Sequence, residues 1–182
     1  MKFTETRLPG VITIEPAVFG DSRGFFMETW EERKFAEAGI HERFVQDNYS
    51  SSRRGILRGI HYQIKQPQGK LVRVTSGAVF DVVVDLRRSS SHFGEWYGTE
   101  LSADNKKMMW VPPGFGHGFF VVSEQADFAY KCTDFYASEH ERNLVWNDPD
   151  VGIEWPSMTQ NEPTLSDNDR NGQLLSEAEL YP

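Results

Sequence analysis

Val79-Phe80-Asp81-Val82-Val83-Val84-Asp85-Leu86 reads as a β-strand more plainly than any other stretch of the chain. β-Branched and aromatic side chains crowd it, and such residues favour the pleated surface of a sheet. The same signature repeats on both sides of it. Residues 56–61, 71–75, 96–101, 108–111, 118–122 and 128–136 are short apolar-rich runs, each bounded by Gly, Ser, Asn or Pro. Strands separated by turn residues at such short intervals indicate an all-β sandwich or barrel. Further out, residues 1–20 mix Val11, Ile12, Ile14, Val18 and Phe19 with Pro9, Gly10, Pro16 and Gly20, which reads as short strands and turns. Phe25-Phe26-Met27 adds another strand. One helix is signalled: Thr29 stands three residues before Glu32 in capping-box spacing, Trp30, Phe35 and Ala38 share a face, and Gly39 suits the residue that ends it. A short last helix is expected over 176–180. The fold class expected is all-β, a barrel or jelly roll with short peripheral helices.

Composition agrees and excludes several classes. The chain has 182 residues with 13 Phe, 5 Trp, 15 Gly and 9 Pro, a balance that leans toward β structure in one ordinary domain. Its 19 Lys+Arg against 27 Asp+Glu give a net charge of -8, which argues against coating a nucleic acid polymer. Cys132 is the only cysteine, so neither a disulfide framework nor a multi-cysteine zinc site can be built. No apolar run approaches membrane-spanning length and the start carries no apolar signal region, so a soluble cytoplasmic protein is expected.

The titratable motifs narrow the chemistry. A metal-binding β-barrel often presents His-x-His, but His61 is followed by Tyr62-Gln63, and His140-Glu141-Arg142-Asn143 lacks a second histidine. No metal and no cofactor are expected. Gly114-Phe115-Gly116-His117-Gly118 leads into a strand rather than a helix, so it is no dinucleotide fingerprint. It reads as a tight turn, with His117 where a strand enters a barrel. There is no Gly-x-Ser-x-Gly elbow. Arg58 stands among apolar residues in Leu57-Arg58-Gly59-Ile60-His61, which suggests an anion clamp. Simple alternation puts Arg58 and His61 on opposite faces unless a bulge intervenes.

Taken in order, these segments resemble a known family. They are Asp21-Ser22-Arg23-Gly24-Phe25-Phe26-Met27-Glu28, Gln46-Asp47-Asn48-Tyr49-Ser50, Leu57 to Gln63, Gln68-Gly69-Lys70-Leu71-Val72, Val111 to Phe119, Tyr130 to Tyr136, Trp146-Asn147-Asp148-Pro149 and Leu165-Ser166-Asp167-Asn168-Asp169. The set is similar to the dTDP-4-dehydrorhamnose 3,5-epimerases, metal-free enzymes on a cupin-type jelly roll, and it runs from about residue 3 to residue 180. The resemblance implies one epimerase domain over 1–182, with an N-terminal segment to about 45, a jelly-roll core over about 46–147 and a tail from about 148. It also implies a homodimer that shares strands between subunits. The implied substrate is a dTDP-linked 4-keto-6-deoxy sugar, whose C3 and C5 protons flank the ketone and return on the opposite face.

Residue by residue, the resemblance makes His61 the base, Tyr130 the acid on the other face and Lys70 the cation beside the developing enolate. The partner of His61 is Asp169, with Asp167 the runner-up. Arg23 and Arg58 match phosphate and sugar contacts, and Glu28, Gln46, Asp47 and Asn48 match residues that read the nucleotide end. Tyr136 matches the aromatic that stacks on thymine. Glu141 and His117 match further substrate contacts, and Phe19 and Phe26 match apolar walls. Asn168 stands where the family usually has Lys in Leu-Ser-x-Lys-Asp. A C3-only epimerase, a ketoisomerase on a related sugar, and a non-catalytic sugar-binding cupin are the alternatives.

Overall fold

The computed structural model describes residues 1–156 and 162–182. Thirteen strands form among them: β1 (Lys2–Glu5), β2 (Ile12–Glu15), β3 (Val18–Asp21), β4 (Gly24–Met27), β5 (Gln46–Arg53), β6 (Leu57–Gln63), β7 (Lys70–Ser76), β8 (Ala78–Asp85), β9 (Trp96–Ser102), β10 (Met108–Val111), β11 (Phe115–Val121), β12 (Gln125–Cys132) and β13 (Glu141–Asn143). β1-β2-β10-β7-β12-β5 make a six-stranded sheet, and β13-β6-β11-β8-β9 make a five-stranded one. Among the described residues β3 and β4 pair only with each other. The two large sheets face each other as a cupin-type jelly roll.

β8 shows why its sequence is so nearly continuous in apolar residues. Val79 and Val83 point between the sheets, where they meet Val72 and Val74 of β7, Phe119 and Val121 of β11, and Phe128 of β12. Val82, Val84 and Leu86 point the other way, onto Leu175, Ala178 and Leu180 of the C-terminal tail. A strand buried on both faces has no polar side to alternate. The outer face of the six-stranded sheet is covered at one end by α1 (Glu32–Glu37), whose Phe35 packs on Ile12, Ile14, Met108 and Trp110.

Three expectations need correction. The first is the start of α1. Its N-cap is Glu31, whose carboxylate accepts from Lys34 N at 3.0 Å, and not Thr29. Here the Glu31 carboxylate closes the first turn, so the capping-box spacing at Thr29 misleads; Gly39 does end the helix, at φ 84°.

Second, the tail helix is α2 (Asp167–Arg170), capped by Ser166, while the chain around 176–180 makes only a turn closed on Leu174 O. Leu175, Ala178 and Leu180 are spent on covering the five-stranded sheet. Third, the 114–118 run is not all turn. β11 begins at Phe115, so Gly116 and His117 lie inside a strand. Gly116 fits there because a Cβ would stand 2.5 Å from Ile60 Cγ2.

Candidate active site

His61 and His117 are cross-strand partners on β6 and β11. Past them the register slips: His117 pairs with His61, but Phe119 pairs with Arg58, so β6 carries one residue more than β11 over this interval. That bulge returns Arg58 to the face that His61 occupies. It needs a very close approach, for a Cβ on Gly59 would lie 2.5 Å from Gly118 Cα, and Gly59 sits at φ 126°. Phe119 belongs to the core between the sheets, so this shared face is the interior one.

From the opposite sheet, β7 points Lys70 inward with Val72 and Val74, and β12 points Tyr130 inward with Phe128 and Cys132. β5 adds Asn48 opposite Tyr130 and Gln46 opposite Cys132. The jelly roll therefore brings His61, Lys70, Arg58, His117, Tyr130, Gln46 and Asn48 to one interior, drawn from five strands of both sheets.

His61 Nε2 lies 2.6 Å from Asp169 Oδ1. Asp169 is buried in α2 and is held from three sides: Ser166 Oγ donates to Oδ2 at 2.7 Å, Gly59 N donates to Oδ1 at 3.2 Å, and His61 supplies the third bond. Burial pushes its pKa up, but the hydrogen bonds from His61, Ser166 and Gly59 outweigh it, so the carboxyl sits below its ordinary value. An ionised carboxylate only accepts, so Nε2 of the neutral ring carries the proton and Nδ1 keeps the lone pair. Asp167 is exposed, and its main-chain carbonyl accepts from Asn171 Nδ2 at 2.8 Å. The two aspartates lie in the same short helix, and only Asp169 faces β6. Asp169→Asn, measured as turnover, is expected to cost on the order of 10²–10⁴-fold through loss of the imidazole's orientation, while Asp167→Asn stays near wild type. A reversed order would place the partner wrongly.

A second imidazole–carboxylate pair lies deeper. His117 Nε2 is 2.9 and 3.1 Å from the two oxygens of Asp81, whose side chain is fully buried. Burial pushes the Asp81 carboxyl up, against the pull of His117 and Lys70. Burial likewise pushes the Lys70 ammonium down, opposed by Cys132, Asp81 and Glu141. Tyr130 is pushed up by burial and by Cys132, against Arg58 and Asn48, so its phenol stays protonated at neutral pH and can donate. Arg58 Nε donates to Ser52 Oγ at 3.1 Å, which aims the guanidinium along the same face.

The mouth is lined by polar groups. Tyr136 is exposed, and its hydroxyl donates to Glu141 Oε2 at 3.0 Å. Gln46 Nε2 donates to Asn48 Oδ1 at 3.1 Å. Asn168 is exposed on α2, and its carbonyl accepts from Asn143 Nδ2 at 2.9 Å. Five anticipated residues are not brought there within one chain. Asp47 points to the outer face and pairs with Lys131 at 3.0 Å. Arg23 pairs with Asp21 inside the β3–β4 hairpin, Glu28 pairs with Lys34 at 2.7 Å, and Phe19 and Phe26 are exposed on that hairpin.

Sequence reasoning missed Asp81, Ser166 and the Gly59 amide. Asp81 was visible as a charge inside the apolar strand, and Ser166-x-x-Asp169 as a helix-capping spacing. Among the described residues no three His, Cys, Asp or Glu side chains converge as a metal site. No helix among them is long and apolar enough to cross a membrane.

The family model for dTDP-4-dehydrorhamnose 3,5-epimerase matches residues 5–177. A dTDP-4-dehydrorhamnose 3,5-epimerase of Pseudomonas aeruginosa is 58% identical over 183 residues, covering 100% of both chains. One of Shigella flexneri is 51% identical over 183 residues, covering 100% of this chain and 99% of its own. The crystal structure of the dTDP-6-deoxy-D-glucose-3,5-epimerase from Legionella pneumophila in complex with dTDP-4-keto-L-rhamnose superposes with a TM-score of 0.94 at 47% identity, over 98% of this chain and 94% of that one.

Proposed function

We propose, because the chain belongs to the dTDP-4-dehydrorhamnose 3,5-epimerase family, that the facing imidazole, ammonium and phenol of its interior perform that family's epimerisation. The protein is an isomerase that converts dTDP-4-dehydro-6-deoxy-D-glucose to dTDP-4-dehydro-L-rhamnose in dTDP-L-rhamnose biosynthesis. The observation that carries the residue assignment is the His61–Asp169 bond at 2.6 Å, on the sheet opposite Tyr130.

His61 takes the proton on C3 or C5 through Nδ1, and the carboxylate of Asp169 stabilises the imidazolium formed. Both protons are acidic because the C4 ketone can accept the electron pair as an enolate. The Lys70 ammonium faces that oxygen, and a preorganised cation in a site shielded from water lowers the cost of the developing charge. Tyr130 returns a proton from the other sheet, which inverts the carbon. Arg58 binds the diphosphate, His117 the sugar, and Gln46, Asn48, Tyr136, Glu141 and Asn168 the rest of the nucleotide sugar. All 182 residues act as one catalytic unit.

The same reading makes the protein a cytoplasmic homodimer. The β3–β4 hairpin exposes Val18, Phe19, Phe25 and Phe26 and pairs with no other strand among the described residues. An apolar hairpin of that kind has a physical motive to enter a second copy. It then delivers Arg23, Phe26, Glu28 and Phe19 to the partner's cavity, with the outer face around Asp47 nearby.

Incubation with dTDP-4-keto-6-deoxyglucose in deuterated water tests the activity. Exchange at both C3 and C5 is expected. Exchange at C3 alone would make the protein a 3-epimerase, and none would leave a binding module. Activity is also expected to survive exhaustive dialysis against a chelator, since His61 and His117 are each committed to a carboxylate of their own. Recovery of lost activity by added metal would contradict this.

A further inference from the structure

Tyr136 sits in a segment whose large aromatic side chains are exposed rather than packed in the core. Phe135 and Tyr136 are 60% and 54% exposed, at a bend between β12 and β13. Its main chain is nevertheless bound at four successive residues, and each time by a glutamine side chain. Gln68 Nε2 donates to Asp134 O at 2.8 Å. Gln63 Nε2 donates to Phe135 O at 3.2 Å, and Gln63 Oε1 accepts from Ala137 N at 2.8 Å. Gln46 Oε1 accepts from Tyr136 N at 3.0 Å. The second Nε2 hydrogen of Gln63 reaches Gln66 O at 2.7 Å, so both hydrogens and the oxygen of that amide are used.

Gln63 is buried, and it stands two residues beyond His61 on the same strand and the same face. The three amides come from β5, β6 and the β6–β7 turn. A polar side chain buried in this way is kept only where its bonds are satisfied. Here they are satisfied by loop backbone, chiefly that of one exposed loop.

We propose that Gln63 and Gln68, with Gln46, form a clamp that pre-orders the 134–137 loop as a rigid aromatic platform for the nucleotide's base, set at a fixed distance from His61. The proposal rests on the reading of Tyr136 as the residue that stacks on thymine. Gln63 and Gln68 are positioning residues: they touch no substrate, and they act by removing the ordering cost that base binding would otherwise carry.

The experiment compares Gln63→Leu and Gln68→Leu with the wild-type protein. Calorimetry gives the affinity for dTDP and for inorganic pyrophosphate, and kinetics give KM and kcat. Base–aromatic stacking is worth enough that a disordered platform should weaken dTDP on the order of tenfold. Pyrophosphate has no base, so its affinity should hold. KM should rise with dTDP dissociation while kcat stays near wild type. Amide hydrogen exchange at 135–137 should quicken.

Unchanged dTDP affinity in both variants, or an equal loss for dTDP and pyrophosphate, overturns the clamp. Gln68→Leu, on a partly exposed turn, carries the same expectation should Gln63→Leu fail to fold. Tyr136→Ala separates the two readings. If it leaves dTDP affinity intact, the stacking assignment fails, and unaltered exchange at 135–137 in the glutamine variants would then overturn the clamp by itself.

Discussion

His61→Asn and His61→Ala are expected to abolish nearly all deuterium exchange at both C3 and C5 while the protein stays folded. Each carbon loses its proton to a base, and of the two interior imidazoles backed by a carboxylate, His61 is the one open to the cavity, at 30% exposure against 7% for His117. General base catalysis is typically worth ~10²–10⁴-fold, so the loss should be at least that large at each carbon. Folding should survive, because His61 lies on the cavity face and not in an apolar cluster. Asp169 keeps two of its three hydrogen bonds, from Ser166 and Gly59, so the orphaned carboxylate costs about 1–3 kcal/mol rather than the full cost of a bare buried charge. The measurement is exchange at each carbon by NMR, alongside thermal unfolding. A variant that kept more than a tenth of the wild-type rate would remove His61 from the base role.

Much of this arrangement is legible in the chain's residue pattern, for definable physical reasons. Eight-residue β8 reads correctly because burial on both faces leaves a nearly unbroken apolar run, and the turn residues around the other runs locate most strands to within a few positions. The glycine-rich 114–118 stretch misleads because glycine has two uses. It can bend a chain, or it can let two strands approach, and Gly116 and Gly118 do the second against Ile60 and Arg58. Alternation alone puts Arg58 and His61 on opposite faces, and only the partner strand reveals the extra residue on β6 that unites them. Residue types and spacing leave Asp167 and Asp169 alike, and only the family resemblance favours Asp169. In the structure the four-residue helix turns Asp169, and not Asp167, toward His61. The partners of Asp81, Gln63 and Gln68 escape for a related cause: they are a distant histidine and a distant loop backbone, and neither leaves a mark at close spacing.

Tyr130→Phe should separate removal of a proton from its return. His61 stands on the five-stranded sheet and Tyr130 on the six-stranded one, so the sugar between them is open to a base on one face and an acid on the other. The substitution keeps the ring, with its contact to Phe128 at 6.0 Å between centroids, and deletes only the hydroxyl. Burial holds that hydroxyl above its ordinary value, so it is a donor throughout neutral pH and its loss is the loss of an acid. Abstraction by His61 should continue, with the enolate still faced by Lys70. The proton then returns from the imidazolium to the face it left, and in deuterated water this washes label into unreacted substrate. Net inversion should fall by on the order of 10²-fold or more, the usual worth of a positioned acid. Label appearing in substrate of unchanged configuration, well ahead of product, is therefore the expected result. Equal loss of exchange and inversion would make Tyr130 a residue that positions the sugar. Inversion at the wild-type rate would move the acid to another group, such as a water held between Asn48 and the ring.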